Sequence, residues 1–276
     1  MGIRKCGAKD MVRPELIAID LDGTLLVDHH HISDENILAV HKAIAQGISV
    51  YLVSGRAVRG MQPAATALGL TTPTISLNGA FIFDLIANEI IYSHTIPQKL
   101  AKRAIKFFDQ KGIYIGYHTG LSWFVDKDCK EMRAEGKSMD REPEFVDNLS
   151  TAAIPAPHKL IAIDFDHEDQ LQNAYQYLQN EFPELNAHFS ETFALEIFDR
   201  RVSKGAAIQY IAESIHLPVE KIMVIGDNYN DLSMMKVAGL SVAMGNAPAE
   251  VKSQADWIVA SNEENGVAIA IERLLN

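Results

Sequence analysis

Three short segments rich in carboxylates and hydroxyls each follow an apolar run of the chain. They are Asp20-Leu21-Asp22-Gly23-Thr24, Ser54-Gly55-Arg56 and Gly226-Asp227-Asn228-Tyr229-Asn230-Asp231. In the first, two carboxylates stand two residues apart, and Gly23 permits a sharp turn away from the run. Asp227 and Asp231 supply two more. Carboxylates gathered in one crevice raise one another's pKa values unless a cation intervenes. An all-oxygen donor set suits a hard ion, and Mg²⁺ is the usual one where phosphate is also bound. A fourth segment, Val202-Ser203-Lys204-Gly205, opens a helical pattern. A lysine there opposes the helix dipole, at about 0.3–1 kcal/mol if exposed. It makes sense where Lys204 and the helix N-terminus jointly face an anion. Each segment alone has a plainer reading, as N-caps, turn residues or a solvated lysine. That reading explains the set of four poorly.

The elements that must carry these segments alternate regularly at first. Apolar runs at 16–19, 48–53 and 74–77 are separated by helical patterns, one capped by Ser33 and stopped at Gly47, the next ending near Gly69. Strands apolar on both faces, in a βαβαβ rhythm, predict a parallel sheet covered by helices. The rhythm then changes. A hairpin is predicted at 80–83 and 89–92, a helix at 98–110, and a second hairpin at 113–117 and 123–126 around Thr119-Gly120. Residues 126–147 carry both charge signs and read as solvated, partly helical surface. A strand at 160–164, a helix at 168–182 and a strand at 194–198 follow. The α/β alternation returns with a helix at 204–216, and continues through strands at 222–225, 240–243 and 257–259 and helices at 231–238, 247–255 and 266–275. The expected fold class is α/β: a doubly wound, Rossmann-like parallel-sheet core, residues 1–83 and 199–276, with an inserted α+β cap domain, residues 84–198. Ligands of such sheets bind outside the carboxyl ends of the strands. The three strand-end segments are therefore expected to converge on one crevice.

Composition narrows the partners. The chain has 276 residues, with 25 Lys and Arg against 36 Asp and Glu, a formal charge of −11. No basic run interrupts the acidity, so nucleic acid and anionic membranes are poor candidates. Cys6 and Cys129 are far apart and form no CxxC, which suits a reducing compartment. No apolar run approaches the roughly 18 residues of a membrane span. The first residues, MGIRKCGAKDMVRP, lack the apolar stretch of a secretory signal. They read as a leader before a folded part that begins near Glu15. A cytoplasmic globular protein is expected.

In order, DLDGT, SGR, SKG and GDNYND resemble the four motifs of the haloacid dehalogenase superfamily. The large insertion between the second and third resembles its Cof-type, C2B-capped branch, and the resemblance covers the chain from about Glu15. It implies that Asp20 is a nucleophile forming an aspartyl-phosphate. Asp22 would be the acid that protonates the leaving alkoxide and then the base that activates water. It further implies Mg²⁺ held by the Asp20 carboxylate, the Asp22 main-chain carbonyl and Asp227. Ser54, the Gly55 and Leu21 amides, Lys204 and Asn230 would bind phosphoryl oxygens. Asp231 would stand behind them, orienting Lys204 or a metal-bound water. An aspartate at position 22 favours hydrolysis, whereas related ATPases have threonine. The expected reaction is hydrolysis of a small phosphorylated metabolite, a sugar phosphate or a phosphorylated cofactor. The alternative is a phosphomutase of the phosphomannomutase type. Oligomeric state is not readable. One departure is visible: the branch commonly has Gly-Val-Ser-Lys-Gly, and here Arg201 stands in place of the glycine, after Asp199-Arg200. These arginines read as solvated.

A near-repeat tests the reading. LIAIDLDG at 16–23 is echoed by LIAIDFDH at 160–167. The second copy lacks the turn glycine, and no lysine or metal carboxylates lie at matching distances. It reads as a strand whose acidic end caps the helix from Glu168. His29-His30-His31 reads as a solvated loop, because neighbouring residues seldom ligate one ion together. Trp123, Tyr117 and His118 suit either a pocket lining or hairpin packing. Asn78-Gly79 suits a turn or a substrate contact, and Arg56 a surface position or a charge behind the site.

Overall fold

A computed structural model describes residues 13–28, 30–138 and 142–276. Cys6, most of the expected leader and His29 lie outside the described residues. The chain runs β1 (Leu16–Asp20), α1 (Asp34–Ala45), β2 (Ser49–Val53), α2 (Val58–Ala67), β3 (Thr74–Ser76), β4 (Phe81–Asp84) and β5 (Glu89–Ser93). It continues through α3 (Gln98–Gln110), β6 (Tyr114–Thr119), β7 (Ser122–Val125), α4 (Lys130–Ser138), β8 (Glu144–Phe145), β9 (Lys159–Ile163), α5 (Glu168–Glu181), β10 (Leu185–Glu191) and β11 (Ala194–Asp199). It closes with α6 (Lys204–Ser214), β12 (Ile222–Gly226), α7 (Leu232–Val237), β13 (Leu240–Ala243), α8 (Ala249–Lys252), β14 (Trp257–Ile258) and α9 (Gly266–Leu275).

The first sheet has the order β14-β13-β12-β1-β2-β3-β4-β5. From β14 to β3 all neighbours are parallel. Every residue of β1 is buried, and successive side chains face opposite ways. Ile17 and Ile19 enter a core with Val40 of α1 and Ile271 of α9. Leu16 and Ala18 enter another with Ile208 and Ile211 of α6. Helices on both faces make this an α/β, doubly wound arrangement.

The hairpin expected to open the insertion belongs to this sheet instead. β4 pairs antiparallel with β3, Thr74 opposite Phe83 and Ser76 opposite Phe81, and β5 pairs with β4. Ile82 shares a core with Leu16, Ala18 and Ile208, which explains the attachment. The excursion therefore starts after Ser93 and not at Asp84. The second sheet has the order β10-β11-β9-β6-β7-β8. Leu100, Ala104 and Phe108 of α3 and Leu171 and Leu178 of α5 share a core with its Leu160, Ala162 and Ile197. Met132 of α4 joins Trp123, Ile161 and Ile163 in a separate cluster. α8 is shorter than its sequence pattern suggested, four residues instead of nine.

Candidate active site

Three parallel strands, β2, β1 and β12, set the geometry. Their register places Asp20 opposite Val53 and Ile19 opposite Ile225, so Asp20, Ser54 and Asp227 leave the sheet at the same edge. After β1 the chain turns at once: the Leu21 carbonyl accepts from the Thr24, Leu25 and Leu26 amides. Gly23 takes φ +75°, and a Cβ there would lie 2.5 Å from Asp227 Oδ2. Both facts demand glycine. Gly23→Ala is expected to cost roughly 1–3 kcal/mol, read as a lower midpoint of urea unfolding. An unchanged midpoint would mean that the turn relaxes freely.

At the centre is Lys204, the first residue of α6, whose N-cap Ser203 accepts from the Ala206 amide at 3.1 Å. Its buried ammonium donates to Asp20 Oδ1 and to Asp231 Oδ1, both at 2.5 Å. The other oxygen of Asp231 accepts the amides of Asp227 and Asn228, at 2.9 and 3.0 Å. Asp231 thus holds the loop and the lysine together. Asp227 accepts from Thr24 Oγ1 at 2.9 Å, with Asn246 Nδ2 at 3.4 Å. One oxygen from each of Asp20, Asp227 and Asp231 lies within 4.8 Å of the others. Three carboxylates against one ammonium leave two negative charges unmatched. Burial first, and then the repulsion of Asp231 and Asp227 against the opposing pull of Lys204, holds the Asp20 carboxyl well above its usual range. Burial and Asp231 push the Asp227 carboxyl up to about 6. Lys204 is held above its usual value because Asp20 and Asp231 outweigh its burial. A bound cation would offset that surplus of negative charge.

The remaining candidates line the same edge with other partners. Asp22 is not in the carboxylate cluster: the Arg56 guanidinium holds it with two hydrogen bonds, at 2.8 and 2.5 Å. Ser54 Oγ is buried and accepts the Arg56 amide at 3.1 Å. Gly55 sits against Asn78, whose amide nitrogen would be 3.2 Å from a Cβ at position 55. Asn230 donates from Nδ2 to Asn78 Oδ1 at 3.0 Å, and its buried Oδ1 has no hydrogen-bond partner among the described residues. Leu21 is fully buried beneath the turn. Two residues left open by the sequence, Arg56 and Asn78, therefore make specific contacts with site residues. Asn246 was missed, although Gly245-Asn246 follows β13 just as the other segments follow their strands. It also donates to the Gly23 carbonyl at 2.8 Å.

Among the described residues the near-repeat gathers no such cluster. Asp164 Oδ1 accepts the amides of Asp166 and His167, closing a turn before α5. The N-cap residue is His167, so Asp164 does not cap the helix as expected. Its short side chain is satisfied one turn too early. Tyr117, His118 and Trp123 are buried in the second sheet, where Tyr117 donates to the Pro155 carbonyl at 2.6 Å. The amides of His30 and His31 cap Asp28 on an exposed loop. Arg201 pairs with Asp199 while remaining 68% exposed. Among the described residues no helix is long and apolar enough to cross a membrane.

A family model described as haloacid dehalogenase-like hydrolase matches residues 17–271. Phosphatase YwpJ of Bacillus subtilis is 30% identical, the match covering 95% of this chain and 100% of that protein. The 5-amino-6-(5-phospho-D-ribitylamino)uracil phosphatase YcsE of the same organism is 32% identical over 93% of this chain and 94% of its own length. A crystal structure of a haloacid dehalogenase-like hydrolase from Bacteroides thetaiotaomicron superposes with a TM-score of 0.85, at 29% identity over 95% of this chain and 99% of that one. The gathered strand-end carboxylates and these matches agree: the chain belongs to the haloacid dehalogenase-like hydrolases, as a phosphatase of the Cof-type branch.

Proposed function

We infer that the protein is a Mg²⁺-dependent phosphomonoesterase that works through an aspartyl-phosphate on Asp20. The observation that carries this is the charge deficit around Lys204. Asp20 and Asp227 offer hard oxygen donors, and the oxygens of Asp231 are already committed to Lys204 and to backbone amides. The residues therefore fit a divalent cation held by Asp20, Asp227 and the Asp22 carbonyl. When bound, Mg²⁺ supplies screening between an anionic nucleophile and an anionic phosphoryl group.

Asp20 attacks phosphorus, the ester bond breaks, and Asp22 gives its proton to the departing alkoxide. To do so Asp22 leaves the Arg56 guanidinium, takes up a proton from solvent and turns to the leaving oxygen. Asp22 then takes a proton from the water that cleaves the acyl phosphate, which frees inorganic phosphate and Asp20. Ser54, the Gly55 and Leu21 amides, Lys204 and Asn230 hold the phosphoryl oxygens. Asp231 keeps Lys204 in place. The second sheet with its helices acts as a cap that closes on the crevice and excludes bulk water. We place the protein in the cytoplasm, with a small phosphorylated metabolite as substrate. The 5-phospho-ribityl compound named for YcsE is the kind of molecule meant.

Phosphate release from phosphorylated sugars and cofactors tests this, with Mg²⁺ and after chelation. Chelation is expected to abolish release. Because a metal ligand must be deprotonated and burial with Asp231 pushes the Asp227 carboxyl up to about 6, activity at limiting Mg²⁺ should fall below that pH. The fall is about tenfold per pH unit for a single proton, and saturating Mg²⁺ should move it to lower pH. Release that ignores chelation, or phosphate that migrates within one sugar without being freed, would defeat the reading.

A further inference from the structure

Above the crevice, the second sheet presents a buried ion pair that the reaction does not use. Lys159, the first residue of β9, donates to Glu196 Oε1 of β11 at 2.6 Å. Both side chains are buried. A buried ion pair is poor evidence of a stabilising role, since desolvation offsets most of its attraction. Its position is more informative. Lys159 Nζ also makes a long 3.5 Å contact with the Gly55 carbonyl, just after β2. Glu196 Oε2 accepts from Asn78 Nδ2 at 2.9 Å, and Asn78 in turn holds Asn230. The pair therefore stands one residue away from two groups assigned to the phosphoryl oxygens. A leaving group that extends from those oxygens towards the second sheet would meet this pair first.

The polar inventory points to what those atoms carry. Among the described residues, two of the three Lys159 N–H groups are taken. Glu196 accepts from Lys159 and Asn78, with His188 Nε2 3.3 Å from the same Oε2. A carboxylate can take about four such bonds, so one acceptor position remains beside one donor. Burial pushes the Glu196 carboxyl up, but Lys159 and His188 outweigh it and hold it far below its usual range. Glu135 of α4 lies within electrostatic reach of both members, which makes the surroundings acceptor-rich and unfavourable to a second anion. A hydroxyl, which donates to one side and accepts from the other, matches this remainder; an alkyl or phenyl group would leave both unpaired.

We propose that Lys159 and Glu196 are specificity-determining residues that bind a hydroxyl on the carbon next to the phosphoester. The protein would thereby select phosphorylated polyols over phosphoesters of plain alcohols. This rests on the phosphatase reading above and deepens it. Glycerol 3-phosphate and 3-hydroxypropyl phosphate share a carbon skeleton and differ only in the hydroxyl next to the phosphoester carbon, so their kcat/KM ratio isolates the effect. The wild type is expected to prefer glycerol 3-phosphate by roughly 100-fold, the scale of leaving one buried donor and one buried acceptor without a partner. Lys159→Met and Glu196→Gln should each cut that ratio at least tenfold, chiefly through KM for glycerol 3-phosphate. Thermal unfolding checks the fold of each variant, and Lys159→Arg provides a milder change should Lys159→Met not fold. A wild-type ratio near one, or parallel losses on both substrates, would overturn the proposal in favour of a pair that merely clasps the cap. Absence of phosphate release from either substrate, and from p-nitrophenyl phosphate, would instead sink the phosphatase reading itself.

Discussion

Asp20→Asn is expected to lower phosphate release by at least about 1,000-fold, the scale of losing a nucleophile, without loss of stability. The amide keeps an oxygen that can accept from Lys204, in place of Asp20 Oδ1. It removes the negative charge and the nucleophilic oxygen together. The stability side has a definite sign. Burial raises the folded-state pKa of Asp20, so its ionised form costs stability at every pH above the unfolded value of about 3.9. A neutral amide removes that cost. The variant should therefore be at least as stable as the wild type at pH 8, and the advantage should vanish as the pH falls below about 4. Asp164→Asn, in the near-repeat, is the matched control, with activity expected within twofold of the wild type. If Asp20→Asn retained a tenth of the activity, or Asp164→Asn lost most of it, the nucleophile would have been placed on the wrong strand.

Lys204→Met is expected to cost both activity and stability. The side chain is fully buried and pairs with two carboxylates. Removing one partner of a buried pair typically costs about 3–5 kcal/mol, and here it leaves Asp20, Asp227 and Asp231 without any ammonium among them. Phosphate release should fall at least about 100-fold with the loss of a preorganised cation at the phosphoryl oxygens. The diagnostic is pH. Without Lys204 the folded-state pKa values of Asp20 and Asp227 rise further above their unfolded values. The variant must then recover stability as acid protonates them, and lose it as the pH rises through the folded values. Urea unfolding at pH 5.5 and pH 8 reads this directly. A deficit of the same size at both pH values would mean that Lys204 contributes packing and not charge. Added Mg²⁺ should raise the stability of the variant at pH 8 by mass action.

What the sequence by itself determined is local. The apolar run ending in Asp20, the glycine after Asp22 and the Ser203 cap before Lys204 are each written within a few neighbouring residues. The place of two of these segments after strands of a parallel sheet sufficed to bring Asp20, Asp227 and Asp231 to one edge, and the start of α6 adds Lys204, joined to Asp20 across 184 positions. The matched family and the expected fold class rest on that same local grammar. Tertiary structure alone decided the contacts that no period encodes. Arg56 meets Asp22 across 34 positions, and its place in the first turn after Ser54 served a surface charge equally well. The hairpin β4–β5 reads the same in either sheet, and only its pairing with β3 and the burial of Ile82 beside Leu16 and Ala18 assigned it to the first. Lys159 stands at the mouth of an apolar strand. It meets Glu196 and the Gly55 carbonyl only because two sheets, built from separate stretches of chain, face each other across the crevice. Side-chain periods and turn residues report on neighbours a few positions away, while partner choice across a crevice depends on how whole layers pack.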